Sequence, residues 1–192
     1  MTVAEQPFIQ PKAKDSDLRN LCNTQISNVV ATLKGTQPAS TDRVYVVSGH
    51  YDTRCTDPID FKCDGADDDG SGVAAMMEMA RVMSQHSFDA TIKFITVAGE
   101  EEDLYGSAHF AKVAKQQRMD IEGMLNNDII GSDTGPNGQK IPFTVRLFSE
   151  GIPTVLTKDN TADLQNVGAR ATRPPANWPA TSRRWRRTAP PT

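Results

Sequence analysis

The sequence predicts an α/β fold of three layers, with helices on both faces of a mostly parallel, mixed sheet. Short stretches of strand character alternate with longer segments of helical periodicity, which is the pattern of such folds. Polar residues of metal-binding types follow several predicted strands, and ligands of parallel sheets collect beyond the carboxyl ends of the strands. The length of 192 residues, with 38% hydrophobic and 23% charged residues, is typical of one soluble globular domain.

The first part of the chain is predicted to contribute two strands. Residues 1–22 are polar and mixed, so we expect them to be irregular. Residues 25–33 are rich in β-branched side chains, and residues 44–47 form the short apolar run of a strand buried on both faces. We expect these two strands to be neighbours in the sheet. Residues 52–69 are predicted to form a loop.

Two helices and three strands are predicted beyond this loop. The first helix covers residues 70–85, and its spacing places four residues on the packing face: Val73, Met77, Ala80 and Ser84. The second helix covers residues 105–118, and three alanines are expected on its packing side: Ala108, Ala111 and Ala114. The predicted strands are residues 91–98, 121–130 and 143–148.

The charge distribution argues against a nucleic-acid partner, and the hydropathy of the sequence argues against a membrane span. The net charge is −3, and residues 166–192 contain six arginines and no acidic residue, so residues 1–165 carry −9. An Arg/Pro-rich tail is typical of a nucleic-acid arm, but the acidic body offers no basic face to support one. No run of about 18 apolar residues is present, and residues 1–7 lack the segments of a signal peptide. We therefore expect no nucleic-acid partner, no membrane span and no signal peptide in the sequence as written.

The three cysteines are too few for a disulfide framework. Cys55 and Cys63 flank a short loop and could form a disulfide if the chain is exported, and Cys22 would then be unpaired. Three free thiols are the alternative, and the sequence does not decide between the two.

Metal-binding types of side chain lie at the ends of three predicted strands. His50 and Asp52 follow one strand, Glu100 and Glu101 follow the next, and Asp128 lies near the end of a third. Each group alone is typical of a solvated turn or an acidic surface, so the prediction rests on their conjunction at one sheet edge. An imidazole and several carboxylates there predict a site for one or two zinc ions.

Four motifs contain these residues. They are Gly49-His50-Tyr51-Asp52-Thr53, residues 65–72 (GADDDGSG), residues 99–107 (GEEEDLYGS) and residues 126–131 (NNDIIG). In order and spacing they resemble the motifs of the M28 family of di-zinc aminopeptidases, over residues 25–164. The resemblance implies a zinc exopeptidase fold that is incomplete at its C-terminal end.

The resemblance also implies a set of metal ligands. His50 and Asp128 would bind one zinc ion. Asp67 would bridge this ion to a second one, which Glu101 would also bind. A cis peptide bond is implied between Asp67 and Asp68.

Two further roles follow from the same resemblance. Asp52 would orient His50, in agreement with the partner that metal-bound histidines usually have. Glu100 would be the general base. Three glutamates are present, and aligning the family motif on residues 104–107 assigns the base to Glu100 and the metal ligand to Glu101.

The chain departs from the family pattern toward its C-terminus. No histidine follows His109, although the family has a second histidine ligand downstream. The sequence changes character near residue 168, and we hypothesise a truncation or a frameshift near residues 166–170. The expected division is an irregular segment 1–22, a partial zinc-peptidase-like domain 23–165 and an aberrant or disordered tail 166–192. The family pattern implies a secreted or periplasmic location.

The function implied is that of a zinc-dependent exopeptidase of aminopeptidase type. It would hydrolyse the N-terminal bond of peptides or proteins through a water activated by the metal. With one histidine ligand missing, we expect one tightly bound zinc ion and impaired activity. The alternatives are a catalytically inactive, peptidase-like binding scaffold and a relative of the glutaminyl cyclases.

Overall fold

The computed structural model describes residues 1–12, 22–55, 62–134 and 137–142. The chain divides into two compact units, Met1–Gly131 and Ser132–Thr192. In the described part of the second unit, an isolated bridge pairs Thr134 with Lys140. The predicted strand at residues 143–148 and the predicted tail 166–192 lie outside the described residues.

The first unit contains five strands and two helices within its described residues. In chain order they are β1 (Thr2–Gln10), β2 (Thr24–Leu33), β3 (Arg43–His50), α1 (Gly70–Met83), β4 (Thr91–Val97), α2 (Tyr105–Gln116) and β5 (Asp120–Asn126). The strand order is β1-β2-β4-β3-β5. β3 pairs in parallel with β4 and with β5, whereas β2 is antiparallel to both β4 and β1. The mixed sheet predicted from the sequence is confirmed, and four of these five strands run in one direction.

The sheet is covered by a helix on each face, which confirms the three layers. Phe110 of α2 packs with Val46 and Ile95 on one face, whereas Met76 of α1 packs with Phe94 on the other. The alternation of side chains along β3 and β4 sends successive residues to opposite clusters. Both strands are therefore apolar over most of their length, as the sequence suggested. No helix among the described residues is long and apolar enough to cross a membrane.

The prediction of an irregular segment at residues 1–22 was wrong for β1. Every residue from Thr2 to Gln10 is paired with β2, from Thr2 opposite Thr32 to Gln10 opposite Thr24. Most β1 side chains are exposed, so the strand is held by backbone hydrogen bonds to β2 and its sequence shows no pattern of buried apolar residues. The expectation that β2 and β3 are neighbours was also wrong, because β4 lies between them.

The helices lie where they were predicted, but their packing faces differ. In α1 the buried stripe is Gly72, Met76 and Ala80, and the predicted Met77 is 62% exposed. In α2 the buried residues are Gly106, Phe110 and Ala114, while the predicted Ala108 and Ala111 are exposed. In α2 the ring of Phe110 offers more apolar area than the predicted alanines, which favours this rotation of the helix. In α1 the methionine that packs on the sheet is Met76 and not its neighbour Met77.

Asn28 on β2 is a fully buried polar residue that connects three elements. Its Nδ2 donates to the carbonyl oxygen of Gly106 at 2.8 Å and to Gln6 Oε1 at 3.1 Å. Its Oδ1 accepts from the N–H of Ala98 at 3.2 Å. A Cβ at Gly106 would meet the Asn28 amide oxygen and, at 2.5 Å, the nitrogen of Ala98. Asn28 thus holds the start of α2 against the end of β4.

Replacing Asn28 with leucine is expected to destabilise the fold by about 2–4 kcal/mol. The variant keeps the volume but leaves the N–H of Ala98 buried without its acceptor, which costs roughly 1–3 kcal/mol, and it also removes the bond to the carbonyl of Gly106, worth about 1 kcal/mol. Urea denaturation followed by circular dichroism measures the change. The control is Gln6→Ala, which removes only the third partner and should cost less than about 1 kcal/mol. Equal stabilities of the two variants would contradict the bracing role of Asn28.

Candidate metal centre

His50 is the last residue of β3, and its side chain is 3% exposed. Its Nδ1 lies 3.0 Å from the carbonyl oxygen of Asp52. The nearest oxygen of the Asp52 carboxylate is farther away, at 3.8 Å. Because a carbonyl oxygen only accepts, Nδ1 carries the proton of this hydrogen bond, and Nε2 is the ring nitrogen that is available for a metal. Residue 52 therefore contacts the ring where the sequence predicted, but it does so through its backbone.

Two carboxylates, those of Asp68 and Asp128, gather around this ring. The potential ligand atoms of His50, Asp68 and Asp128 all lie within 4.8 Å of one another. His50 Nε2 is 3.0 Å from Asp68 Oδ1. His50 ends β3, Asp68 precedes α1, and Asp128 follows β5, so three separate segments meet at this sheet edge. The structure therefore brings together two of the residues that were predicted as ligands, His50 and Asp128.

The third member of the group is Asp68, whereas the sequence predicted Asp67. Asp67 Oδ1 accepts from the N–H of Gly131 at 2.7 Å, and its carbonyl accepts from Ser71 Oγ at 2.7 Å. These bonds tie Asp67 to the loop after β5 and to the first turn of α1. The cis peptide bond also lies one residue later than predicted, between Asp68 and Asp69.

Glu100 and Glu101 follow β4 and are placed differently. Glu100 Oε2 is 4.0 Å from His50 Nε2, so its carboxylate borders the three-residue group. The backbone N–H of Glu101 donates to Asp52 Oδ2 at 3.0 Å, and its carboxylate is not part of the group. Glu100 thus borders the group through its carboxylate, whereas Glu101 contacts Asp52 through its backbone.

The electrostatics of the site are dominated by negative charge. Burial lowers the pKa of His50, but the charges of Glu100, Asp52 and Asp69 outweigh it and raise this pKa above its ordinary value. Burial also raises the pKa of Glu100, and neighbouring carboxylates oppose the lowering effect of His50. A carboxylate with a raised pKa binds a proton more readily, which suits a general base.

Known proteins share this chain's sequence motifs and fold. The model of peptidase family M28 matches residues 28–168. The chain belongs to this family. A probable zinc metalloprotease of Pyricularia oryzae is 56% identical over 129 residues, 66% of this chain and 25% of that protein. Another, from Leptosphaeria maculans, is 46% identical over 156 residues, 80% of this chain and 35% of that protein. The chain thus spans about a third or less of these M28 relatives.

Solved structures agree with the fold. An aminopeptidase from Aneurinibacillus sp. strain AM-1 is 34% identical with a TM-score of 0.51, over 59% of this chain and 27% of that one. A Zn-dependent exopeptidase from Parabacteroides distasonis has a TM-score of 0.55 at 23% identity, over 69% of this chain and 49% of that one. A glutaminyl cyclase from an Acidobacteriales bacterium has a TM-score of 0.56 at 23% identity, over 69% and 45%. The last two similarities concern the fold alone.

Both fungal relatives are named probable zinc metalloproteases, and the donor set of this M28 chain fits zinc. The group offers one imidazole nitrogen and two carboxylate oxygens, which leaves a fourth tetrahedral position open. The 3.0 Å between His50 Nε2 and Asp68 Oδ1 is close to the roughly 3.3 Å that tetrahedral bonds of about 2.0–2.1 Å impose. The hydrogen bond at Nδ1 fixes the tautomer that presents Nε2 to a metal.

Asp69 is a further residue of the site, for which no role was predicted from the sequence. It is the N-cap of α1, its side chain accepts from the N–H of Gly72, and it is completely buried. Burial raises its pKa, while the hydrogen bonds from His50 and Gly72 act in the opposite direction. An aspartate directly before Gly70 carries the signal of an N-cap, and this signal could have fixed the register of the three aspartates.

The loop between β3 and α1 contains a disulfide. Cys55 is bonded to Cys63, and Cys22 is free and exposed. This is the pairing that the sequence left open. Within the described part of the loop, Thr53 Oγ1 also donates to the carbonyl of Cys63 at 2.9 Å. The loop that carries Asp52 and Asp68 is therefore closed on itself next to the site.

Proposed function

We propose that the chain contributes the metal-binding and proton-transfer groups of a zinc-dependent exopeptidase of aminopeptidase type. The observation that supports this most strongly is the convergence of His50, Asp68 and Asp128 beside the carboxylate of Glu100. The similarity to the Aneurinibacillus aminopeptidase, at 34% identity, supports the aminopeptidase type. The substrates would be peptides or proteins with a free N-terminus.

Each residue of the site has a separate task in this proposal. His50, Asp68 and Asp128 hold the zinc ion, which lowers the pKa of water and polarises a carbonyl group when it is bound. Glu100 accepts a proton as the oxygen of water attacks the carbonyl carbon of the first peptide bond. Glu100 then returns this proton to the amine nitrogen as the carbon–nitrogen bond breaks, so it acts first as base and then as acid.

The negative surroundings of the site support a substrate with a free amino group. Asp52, Glu101 and Glu102 interact electrostatically, and burial followed by the charges of Asp52 and Glu101 raises the pKa of Glu102. Such a local excess of carboxylates attracts the ammonium group of a peptide N-terminus and repels a C-terminal carboxylate. An aminopeptidase fits this charge better than a carboxypeptidase does.

The experiment that tests the proposal compares substrates whose amino group is free with substrates whose amino group is acetylated. Aminoacyl-p-nitroanilides and their N-acetylated counterparts are incubated with the purified chain and zinc, and a peptide with N-terminal glutamine is included. Slow release of nitroaniline from the free substrates alone is the expected result, since the family's second histidine ligand is missing from this sequence. Cleavage of the acetylated substrates contradicts the aminopeptidase type, and cyclisation of the glutamine supports a cyclase instead. Bound zinc with no reaction of any kind would favour a binding scaffold.

We expect the purified chain to hold one zinc ion tightly. The described residues bring together a single group of three ligands, with one imidazole among them, and zinc prefers a site with a nitrogen donor to one of carboxylates alone. Zinc per chain is measured by mass spectrometry of metals after gel filtration, with His50→Ala as the control that should lose it. Two ions that survive gel filtration would show that further residues complete a second tight site.

A further inference from the structure

The carboxylate of Asp69 makes two hydrogen bonds that connect different parts of the fold. Its Oδ1 accepts from the N–H of Gly72 at 3.0 Å, within the first turn of α1. Its Oδ2 accepts from the N–H of His50 at 3.0 Å, at the end of β3. The side chain is 0% exposed, so both oxygens have backbone N–H partners in place of water. Capping the helix accounts for the first bond but not for the second.

Two glycines leave room for this carboxylate. A Cβ at Gly49 would lie 3.0 Å from Asp69 Oδ2. A Cβ at Gly72 would lie 2.6 Å from the same oxygen and 2.5 Å from the carbonyl oxygen of Asn127. The end of β3 and the start of α1 therefore meet at the side chain of Asp69, and the segment after β5 adjoins them at Gly72. A side chain larger than hydrogen at either glycine would push these segments apart.

We propose that Asp69 is a positioning residue that fixes the spacing of the metal ligands His50 and Asp68. It neighbours Asp68 in sequence and binds the backbone of His50, so it ties the two ligand-bearing segments together directly. The 3.0 Å between His50 Nε2 and Asp68 Oδ1 is the spacing that this connection maintains. The inference rests on the proposed function, in which these two residues bind the metal.

A serine at residue 69 separates the two hydrogen bonds. Serine is a good N-cap, so Asp69→Ser keeps an acceptor for the N–H of Gly72. Its shorter side chain has one oxygen and cannot also reach the N–H of His50. The variant should therefore retain α1 and lose the connection to β3.

Hydrogen exchange in the metal-free chain tests this connection. The N–H of His50 points to Asp69, whereas the next N–H, of Tyr51, donates to the carbonyl of Val97 at 3.1 Å. In Asp69→Ser we expect the amide of His50 to exchange at least about tenfold faster, because it loses its acceptor, while Tyr51 keeps its rate. Unchanged exchange at His50 would overturn the inference, and so would an equal rise at Tyr51, which would indicate general loosening of β3.

Cobalt binding tests the consequence for the metal. Co²⁺ replaces zinc, and its visible absorption reports the geometry of its ligands. We expect Asp69→Ser to weaken Co²⁺ binding about 10–100-fold, the usual effect of losing a group that orients ligands, and to alter the spectrum. The control is Leu33→Ala, which destabilises the core under α1 but should keep the affinity and spectrum of the wild type.

The outcomes distinguish this inference from the proposed function. Wild-type affinity and spectrum in Asp69→Ser would overturn the positioning role and leave the metal site standing. An equal loss in Leu33→Ala would assign the effect to stability and would overturn it as well. A wild-type chain that binds no Co²⁺ would contradict the metal site itself and the inference with it.

Discussion

Replacing Asp68 with asparagine is expected to weaken zinc binding by at least about 100-fold, whereas the same change at Asp67 should leave it nearly unchanged. Asp68 Oδ1 lies 3.0 Å from His50 Nε2, and a neutral amide there supplies neither the charge nor the affinity of a carboxylate. Loss of a direct ligand should exceed the 10–100-fold effect typical of a residue that only supports ligands. Competition with a chromophoric chelator measures the zinc affinity of each variant.

The Asp67 variant is a closely matched control. Asp67→Asn makes the identical chemical change one residue away, and its amide oxygen can still accept from the N–H of Gly131. Differences between the two variants therefore report the position and not the loss of one negative charge in the loop. If Asp67→Asn loses zinc while Asp68→Asn retains it, the ligand is Asp67, as the sequence alone suggested.

Glu100→Gln is expected to lower peptidase turnover by about two to four orders of magnitude while zinc content stays close to one ion per chain. The glutamine keeps the size of the side chain but cannot take a proton, and general-base catalysis contributes roughly 10²–10⁴-fold. Glu100 lies at the edge of the ligand group, 4.0 Å from His50 Nε2. The measurement is kcat on aminoacyl-p-nitroanilides, with zinc quantified on the same samples.

The neighbouring variant Glu101→Gln provides the comparison. The carboxylate of Glu101 lies outside the three-residue group, so the tightly held zinc should be retained in this variant too. Should Glu100→Gln lose zinc in proportion to turnover, Glu100 would be a ligand. Turnover of Glu100→Gln near that of the wild type would remove it from the mechanism.

The buried elements of the fold were predictable from the sequence, whereas the edge strand was not. The apolar runs of β3 and β4 and the periodicity of α1 and α2 mark elements that bury side chains, so composition reveals them. β1 exposes most of its side chains and is held by backbone pairing, which leaves no compositional trace. β4 lies between β2 and β3 because of the way the chain crosses the sheet before β4. The residues of β2 and β3 do not specify this strand order.

The site was predictable as a place and in part as a set of residues. His50 and Asp128 follow strands whose ends meet at one edge, so their convergence follows from the fold class. Within the run of three aspartates, the sequence alone does not show which side chain faces His50. The structure decides this because Asp69 is turned inward as the N-cap of α1, Asp67 binds Gly131, and Asp68 is left to face the ring.

We expect the long-range parallel pairings of β3 to decide when the metal site forms during folding. Ser48 Oγ bonds Asn126 Oδ1 across 78 residues of sequence, at 2.6 Å, and such distant contacts are slow because a large loop must close first. Asp128 lies just beyond this contact, so the three ligands come together only after β5 has docked. An ion that binds only the completed site stabilises the native state and not the folding transition state. Zinc should therefore slow the unfolding of this chain and leave its folding rate almost unaltered.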